Sequence, residues 1–263
     1  MNSVVDISWP TLGLFFSTLS IPLLINRYYQ LGIAKDTLIS VGRMCVQLIF
    51  IGVYLEYLFE LNHAGVNIAW LLVMTAIGSS AIIDKTRLPK KAMFIPVFAG
   101  LSISLSPMLA VICLAVVKPT PLYSAQYLIP LAGMLLGNSI GGNIVALQNM
   151  FTALTERNQE YEAAISLGAS PKYATLPFLR EAIQKSLAPT LASMATTGLV
   201  TLPGMMTGQI LGGANPIIAI KYQLMIMIAI FVMMSVSICI CLNLAIKTAI
   251  HPHGRVMIKP QKQ

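Results

Sequence analysis

Long apolar runs separated by short polar connections organise this chain. Neither the strict alternation of a half-buried strand nor the one-sided stripe of a soluble amphipathic helix recurs along it. A helix needs about 20 apolar residues to cross the roughly 30 Å hydrocarbon core of a bilayer. Seven such runs can be read, over about 9–29, 39–59, 66–83, 92–117, 127–151, 188–206 and 217–246. Trp9, Tyr28 and Tyr29 stand at the ends of the first, where amphipathic rings favour the membrane interface. Pro96 and Pro107 interrupt the fourth, and the fifth is rich in Gly and Asn. A single long polar stretch, 152–185, separates the fifth and sixth runs. Its start, Thr152 to Glu160, reads either as a separate short helix or as part of span five. The expected fold class is all-α, a polytopic transmembrane helical bundle forming one domain over 1–263.

Composition supports that reading: 56% of the 263 residues are hydrophobic, 10% are charged and the mean hydropathy is +0.77. Soluble chains carry roughly 25% charged residues, and the connections here are too short for an extramembrane domain with its own core. The net charge of +8 does not indicate a nucleic-acid partner, because the basic residues sit between apolar runs instead of forming a stripe among aromatics. That placement is what orientation in a bilayer requires. With the N-terminus outside, Arg27, Lys35, Lys85, Arg87, Lys90, Lys91, Arg157, Lys172, Arg180, Lys185, Lys247, Arg255, Lys259 and Lys262 face the cytosol, and only Lys118 and Lys221 stay outside. The expected orientation is therefore N-terminus outside and C-terminus cytosolic, in a multi-pass protein of the cell (inner or plasma) membrane. The start MNSVVDISWP has no basic leader segment, so no cleavable signal peptide is expected. Cys45, Cys113, Cys239 and Cys241 all lie in apolar runs and form no disulfide framework.

The polar stretch contains YEAAISLGASPKYATLPFLREAI, residues 161–183. Glu162, Ala163 and Ala164, then Gly168 and Ala169 after three residues, resemble the EAA-x3-GA pattern in the cytosolic loop of ABC importer permeases. The physical logic is local. A short helix ending near Leu167 presents small alanines that allow another surface to approach, and Gly168 can take a left-handed turn. Ser170 and Pro171 are suited to cap and start the next helix. The resemblance implies an elbow that docks a cytosolic ATPase; the plain alternative is an amphipathic connection between spans. Phe178, Leu179, Arg180 and Glu181 depart from the apolar-Leu-Pro ending of the importer pattern.

VGRMCVQLIFIG (41–52), IPLAGMLLGNSI (129–140) and GLVTLPGMMTGQILGGANPIIAIKYQ (198–223) resemble the FetB/YbbM-type ABC transporter permease family, from the second span to the seventh. Bacterial members of that family are linked to iron export and plant relatives to aluminium tolerance. The resemblance implies a permease homodimer with two copies of a cytosolic ABC ATPase subunit, and a metal ion as cargo. The chain has no G-x4-GK[ST] phosphate loop, so MgATP is expected in the partner, and no cofactor and no catalytic residue are expected here. Alternatives are another cargo, such as a different metal or a small metabolite, and a membrane scaffold that docks an ATPase without transport. A membrane-embedded enzyme lacks a His, Asp or Glu cluster within the spans.

Polar side chains at membrane depth either line a path or bind helices together. Asn138, Asn143, Gln148 and Asn149 lie in span five, where Gly133 and Gly137 have the spacing of close helix packing. Span six ends in Thr196, Thr197 and Thr201, then Pro203, Gly204, Met205, Met206, Thr207 and Gly208, a sequence that should break the helix. The candidate translocation path is Asn138, Asn143, Thr197, Thr201, Pro203, Gly204, Met205 and Met206. Met134, Met205 and Met206 either touch a soft metal in transit or fill gaps in the packing. Glu56 and Glu60 share one face at the outer end of span two, to attract cations or simply to be solvated, and Arg43 and Gln47 share a face near its inner end. Cys239 and Cys241 form a C-x-C pair whose side chains should diverge on a helix. His63, His251 and His253 make no site.

Overall fold

The computed structural model describes residues 6–251 and 254–258. His253, Lys259 and Lys262 of the basic tail lie outside the described residues, as does the chain start before Asp6. The protein is all-helical, with no named strand among the described residues and only two isolated bridges, Thr197 to Thr201 and Ile250 to Val256. Among the described residues six helical segments are long and apolar enough to cross a membrane: Trp9–Tyr28, Ala34–Leu61, Ala64–Thr86, Lys90–Val117, Ala125–Glu156 and Pro216–Ala249.

Local signals account for the helix starts. The Ser8 hydroxyl accepts the Thr11 N–H at 3.4 Å to cap α1 (Trp9–Phe15), which passes through a 3-10 turn into α2 (Ser20–Tyr28). After α3 (Ala34–Leu61), Asn62 takes a left-handed conformation at φ 35° and ends the helix. α4 is Ala64–Thr86, and α5 is Lys90–Val111, continued by a wider π-helical turn over Ile112–Val117. Pro96 and Pro107 do not interrupt α5, which runs through both. Such prolines persist in membrane helices because neighbouring groups satisfy the freed carbonyls. α6 is Ala125–Glu156, and Asn215 and Pro216 start α10 (Pro216–Ala249), the Asn215 side chain accepting the Ile217 N–H at 2.9 Å.

The polar stretch and the sixth run are built differently from the expectation. α6 stops at Glu156, α7 covers Asn158–Ser166, and α8 then runs unbroken from Pro171 to Thr196. The residues expected as a span at 188–206 are the end of α8, a non-helical turn, and the start of α9 (Gly204–Leu211). α8 carries Lys172, Arg180, Glu181 and Lys185, so it is not among the six apolar spans.

α4, α5, α6, α8 and α10 form the core, around buried Met93, Leu101, Leu135, Leu147, Met150, Met233 and Leu242. α5 and α10 approach closely at Gly100, where a Cβ would stand 3.0 Å from the Cys241 Cβ and 3.1 Å from its backbone nitrogen. In α6 the close-packing glycine is Gly142, against the Met234 side chain. Gly137 has nothing within 4 Å of a Cβ position, and Gly133 meets only Met74 at 3.6 Å. Spacing alone cannot identify which glycine row faces a neighbour.

The connections gather at two ends. At one, the Ala125 N–H donates to Asn62 Oδ1 at 3.0 Å and Asn67 Nδ2 donates to the Tyr123 carbonyl at 2.8 Å. At the other, Gln148 Nε2 donates to the Lys85 carbonyl at 2.9 Å, and Tyr161 Oη donates to the Gly254 carbonyl at 2.8 Å.

Candidate functional site

Where α8 ends, the chain builds a chamber. Thr197 leaves the helix in an extended conformation and Gly198 adopts φ +91°, a value that favours glycine. The Gly198 N–H donates to the Thr201 carbonyl at 2.9 Å, and Thr197 Oγ1 donates to the Ser193 carbonyl at 2.7 Å, so the turn is held tightly at the helix end. Pro203 then starts α9 beside α10. The half-open space is about 530 Å³ and is lined by Met134 and Asn138 of α6 and by Pro189, Thr190 and Ser193 of α8. Thr197, Thr201, Pro203, Gly204 and Met205 line it from the turn and α9, and Gln223, Ile226, Met227 and Ile230 from α10.

The lining is electrically neutral: it holds amides, hydroxyls and thioethers but no ionisable side chain. Among the described residues no group of three or more His, Cys, Asp or Glu is arranged to hold a metal ion. Asn138 Nδ2 donates to the Met134 carbonyl at 2.8 Å. Gln223 is only 6% exposed, and its Oε1 is buried without a hydrogen-bond partner. Gln209 Oε1 on α9 is also buried and unpartnered.

Of the path residues named from sequence, the chamber brings together Asn138, Thr197, Thr201, Pro203, Gly204 and Met205, with Met134 beside them. Asn143, Met206 and Glu56 do not line it. Asn143 is buried and donates to the Ser139 carbonyl at 2.8 Å and to Ser237 Oγ at 2.9 Å, tying α6 to α10. Met206 is half-buried on α9, and Glu56 is exposed on α3. Cys239 is exposed and Cys241 buried, so the C-x-C pair diverges. Thr190, Ser193, Gln223 and Met227 were missed. Gln223 carried a usable signal, an amide near the start of the most apolar span, where a polar group demands a partner.

The elbow lies at the other end of α8. α7 ends at Ser166, Gly168 takes φ +91°, and the Ala169 N–H donates to the Ala164 carbonyl at 3.0 Å. Ser170 Oγ accepts the Tyr173 N–H at 3.4 Å, capping α8, with Pro171 in its first turn. Glu162, Ala163, Gly168 and Ser170 are exposed, and Ala164 and Ala169 are half-buried against the core. Leu167, 89% exposed, and Tyr173, 75% exposed, add apolar surface that the sequence pattern did not single out.

Charge pairs brace the elbow. Arg157 bonds Glu160 at 2.6 Å and Glu181 at 3.0 Å, Lys185 bonds Glu181 at 2.7 Å, and the Arg157 guanidinium lies 4.9 Å from the Phe178 ring centroid. The hydrogen bond from Arg157 holds the Glu160 carboxyl below its ordinary range, and the bond from Lys185, helped by Arg157, does the same for Glu181. Burial pushes the Tyr161 phenol up while its hydroxyl ties α7 to the chain beyond α10. One uninterrupted helix thus joins elbow and chamber: the twenty steps from the cap Ser170 to Thr190 span about 30 Å at 1.5 Å per residue.

Residues 9–250 match the sequence profile of an uncharacterised protein family, UPF0014. The chain belongs to this family. It is 33% identical over 226 residues to the probable iron export permease protein FetB of Escherichia coli, covering 86% of this chain and 85% of the relative. It is 35% identical over 206 residues to the UPF0014 membrane protein YjkA of Bacillus subtilis, covering 78% and 81%. The Arabidopsis thaliana protein ALUMINUM SENSITIVE 3 is 32% identical over 197 residues, covering 75% and 71%. No solved structure matches the chain. With its six apolar helical spans, this UPF0014 member is a multi-pass membrane protein.

Proposed function

We propose that this chain is the membrane half of an ABC transporter that exports iron or another metal ion. It would pair with a second copy of itself and with a cytosolic ATPase subunit that binds MgATP. The observation that carries the reading is the continuity of α8, with the EAA-type elbow at one end and a neutral chamber at the other. ATP-driven closure of the partner displaces the elbow around Glu162 to Ser170, and α8 transmits the displacement about 30 Å to the wall formed by Thr190, Ser193 and Thr197. Pro177 and Pro189 lie within that helix, and each removes a backbone hydrogen bond and gives it a place to bend. Exposed Leu167, Ala163 and Tyr173 supply the apolar contact for docking.

The name of the Escherichia coli relative, a probable iron export permease, supports iron as the cargo. Charge supports the orientation with the C-terminus in the cytosol. The end where Lys85, the Arg157 network and the Tyr161 to Gly254 contact lie carries most of the Lys and Arg residues.

The test is reconstitution with the ATPase subunit in liposomes. Iron should move only with ATP, and replacing Leu167 with Asp should abolish both movement and the stimulation of ATP hydrolysis by the permease. ATP hydrolysis without movement of iron or any other metal would refute the export reading.

A further inference from the structure

We infer that the chamber passes a metal ion that keeps its own ligands, water or a small chelator, and that Gln223 grips this ligand shell by hydrogen bonding instead of coordinating the metal. The inference rests on the reading of the chamber as the cargo path.

Size is the first reason. A bare metal ion needs far less room than about 530 Å³, whereas at roughly 30 Å³ per water a hydrated ion or a small chelate fits with space to turn. Donor chemistry is the second. Removing the shell of a hard or intermediate cation requires ligands that replace it, and carboxylate, imidazole or thiolate groups do so. None of these lines the chamber among the described residues. Scattered amides, hydroxyls and thioethers do not compensate for that loss, but amide and hydroxyl oxygens accept hydrogen bonds from metal-bound water well.

Gln223 is the third and most specific reason. Gln223 lines the chamber and is 6% exposed, and its Oε1, buried behind that surface, has no partner in the protein, so a turn of the terminal amide presents the acceptor to the chamber. Leaving such a group unpaired is unfavourable, so the position suits a visitor that brings donors. Water on a metal ion is a polarised, strong donor. Asn138, whose Nδ2 is already committed to the Met134 carbonyl, offers a second acceptor oxygen on the facing helix. Neutral acceptors also hold the complex weakly enough to release it without a protonation step.

Hexaamminecobalt(III) separates the two modes, because its ammine ligands do not exchange, and it can only be recognised from outside its shell. In liposomes holding the complete transporter, ATP-driven movement is measured for ferrous ion in a non-coordinating buffer and for ferric citrate, each with increasing hexaamminecobalt(III). Inhibition of either cargo is expected, and Gln223→Leu should raise the inhibitory concentration at least ten-fold. The cargo that moves identifies the shell as water or chelator. If Gln223→Leu does not fold, Asn138→Leu, at an exposed α6 position, takes its place with the same expected direction. Iron movement unaffected by the inert complex would overturn the inference. Movement that survives filling of the chamber by Thr197→Trp would overturn the path reading beneath it, a separate result.

Discussion

The arm α1–α3 and the spans α4, α5, α6 and α10 of the bundle are all apolar enough to cross a membrane, yet they are packed very differently. In the most apolar window of α3 none of the residues is buried, against 44% for α6 and for α10. The arm meets the bundle mainly through one small cluster, where Leu58 packs with Ala125 and Ile129 and the Tyr54 ring sits 4.5 Å from that of Trp70. In the bundle, Gly100 fits against Cys241 and Gly142 against Met234, whereas Gly42 and Gly52 in α3 have nothing within 4 Å. Lipid tails are as apolar as leucine, so hydrophobicity places a helix in the membrane but does not make it pack. Close backbone approach does that.

The largest expected effect is at the α5–α10 seam. Gly100→Leu forces a side chain against the Cys241 backbone and should destabilise the protein by about 3 kcal/mol, the upper range for overpacking, read as a lowered thermal midpoint in detergent. An unchanged midpoint would mean that the seam is not tight. Tyr161→Phe removes the donor to the buried Gly254 carbonyl and should lose about 1 kcal/mol, with faster hydrogen exchange in α7 and no change in α3. Gly42→Ala should be neutral or stabilise α3 by up to about 1 kcal/mol from helix propensity. Loss of stability or of self-association there would instead show that a second copy covers the arm at that point.

The smallest effect is that of pH on the elbow. The Arg157 and Lys185 bonds hold the Glu160 and Glu181 carboxyls below their ordinary range in the folded state. Their contribution is therefore complete above the unfolded pKa and is lost as pH falls through the lower folded values. Protection of α7, corrected for intrinsic exchange, should be constant from pH 8 to 6 and decline only below about pH 4.5. The effect is small because these carboxylates are exposed and screened. Protection lost already between pH 7 and 6 would assign the bracing to other groups.

The elbow was the most legible part of the candidate site, because its geometry depends on adjacent residues. A turn at Gly168 and a start at Ser170 and Pro171 follow from local backbone preference, and the structure has both. The chamber was only partly legible. Thr197, Thr201, Pro203 and Gly204 signalled a helix break, but Asn143, chosen on the same grounds as Asn138, is bonded to Ser237. The difference is one of helix face: five residues along an α-helix turn a side chain through about 500°, well off the original direction. That Gln223 lines the chamber could not be read locally, because the other lining residues are distant in sequence.

By itself the sequence determined that this chain crosses a membrane as helices and that its polar connection folds as an elbow, since both follow from runs and turns of neighbouring residues. Only the tertiary structure decided that α8 is one helix joining elbow to chamber, that Gln223 stands unpaired in its wall, and that α3 lies outside the core while α10 lies within it. Those outcomes depend on which helix faces meet. Apolar residues that face lipid and apolar residues that face protein have the same chemistry, so only their packed neighbours distinguish them.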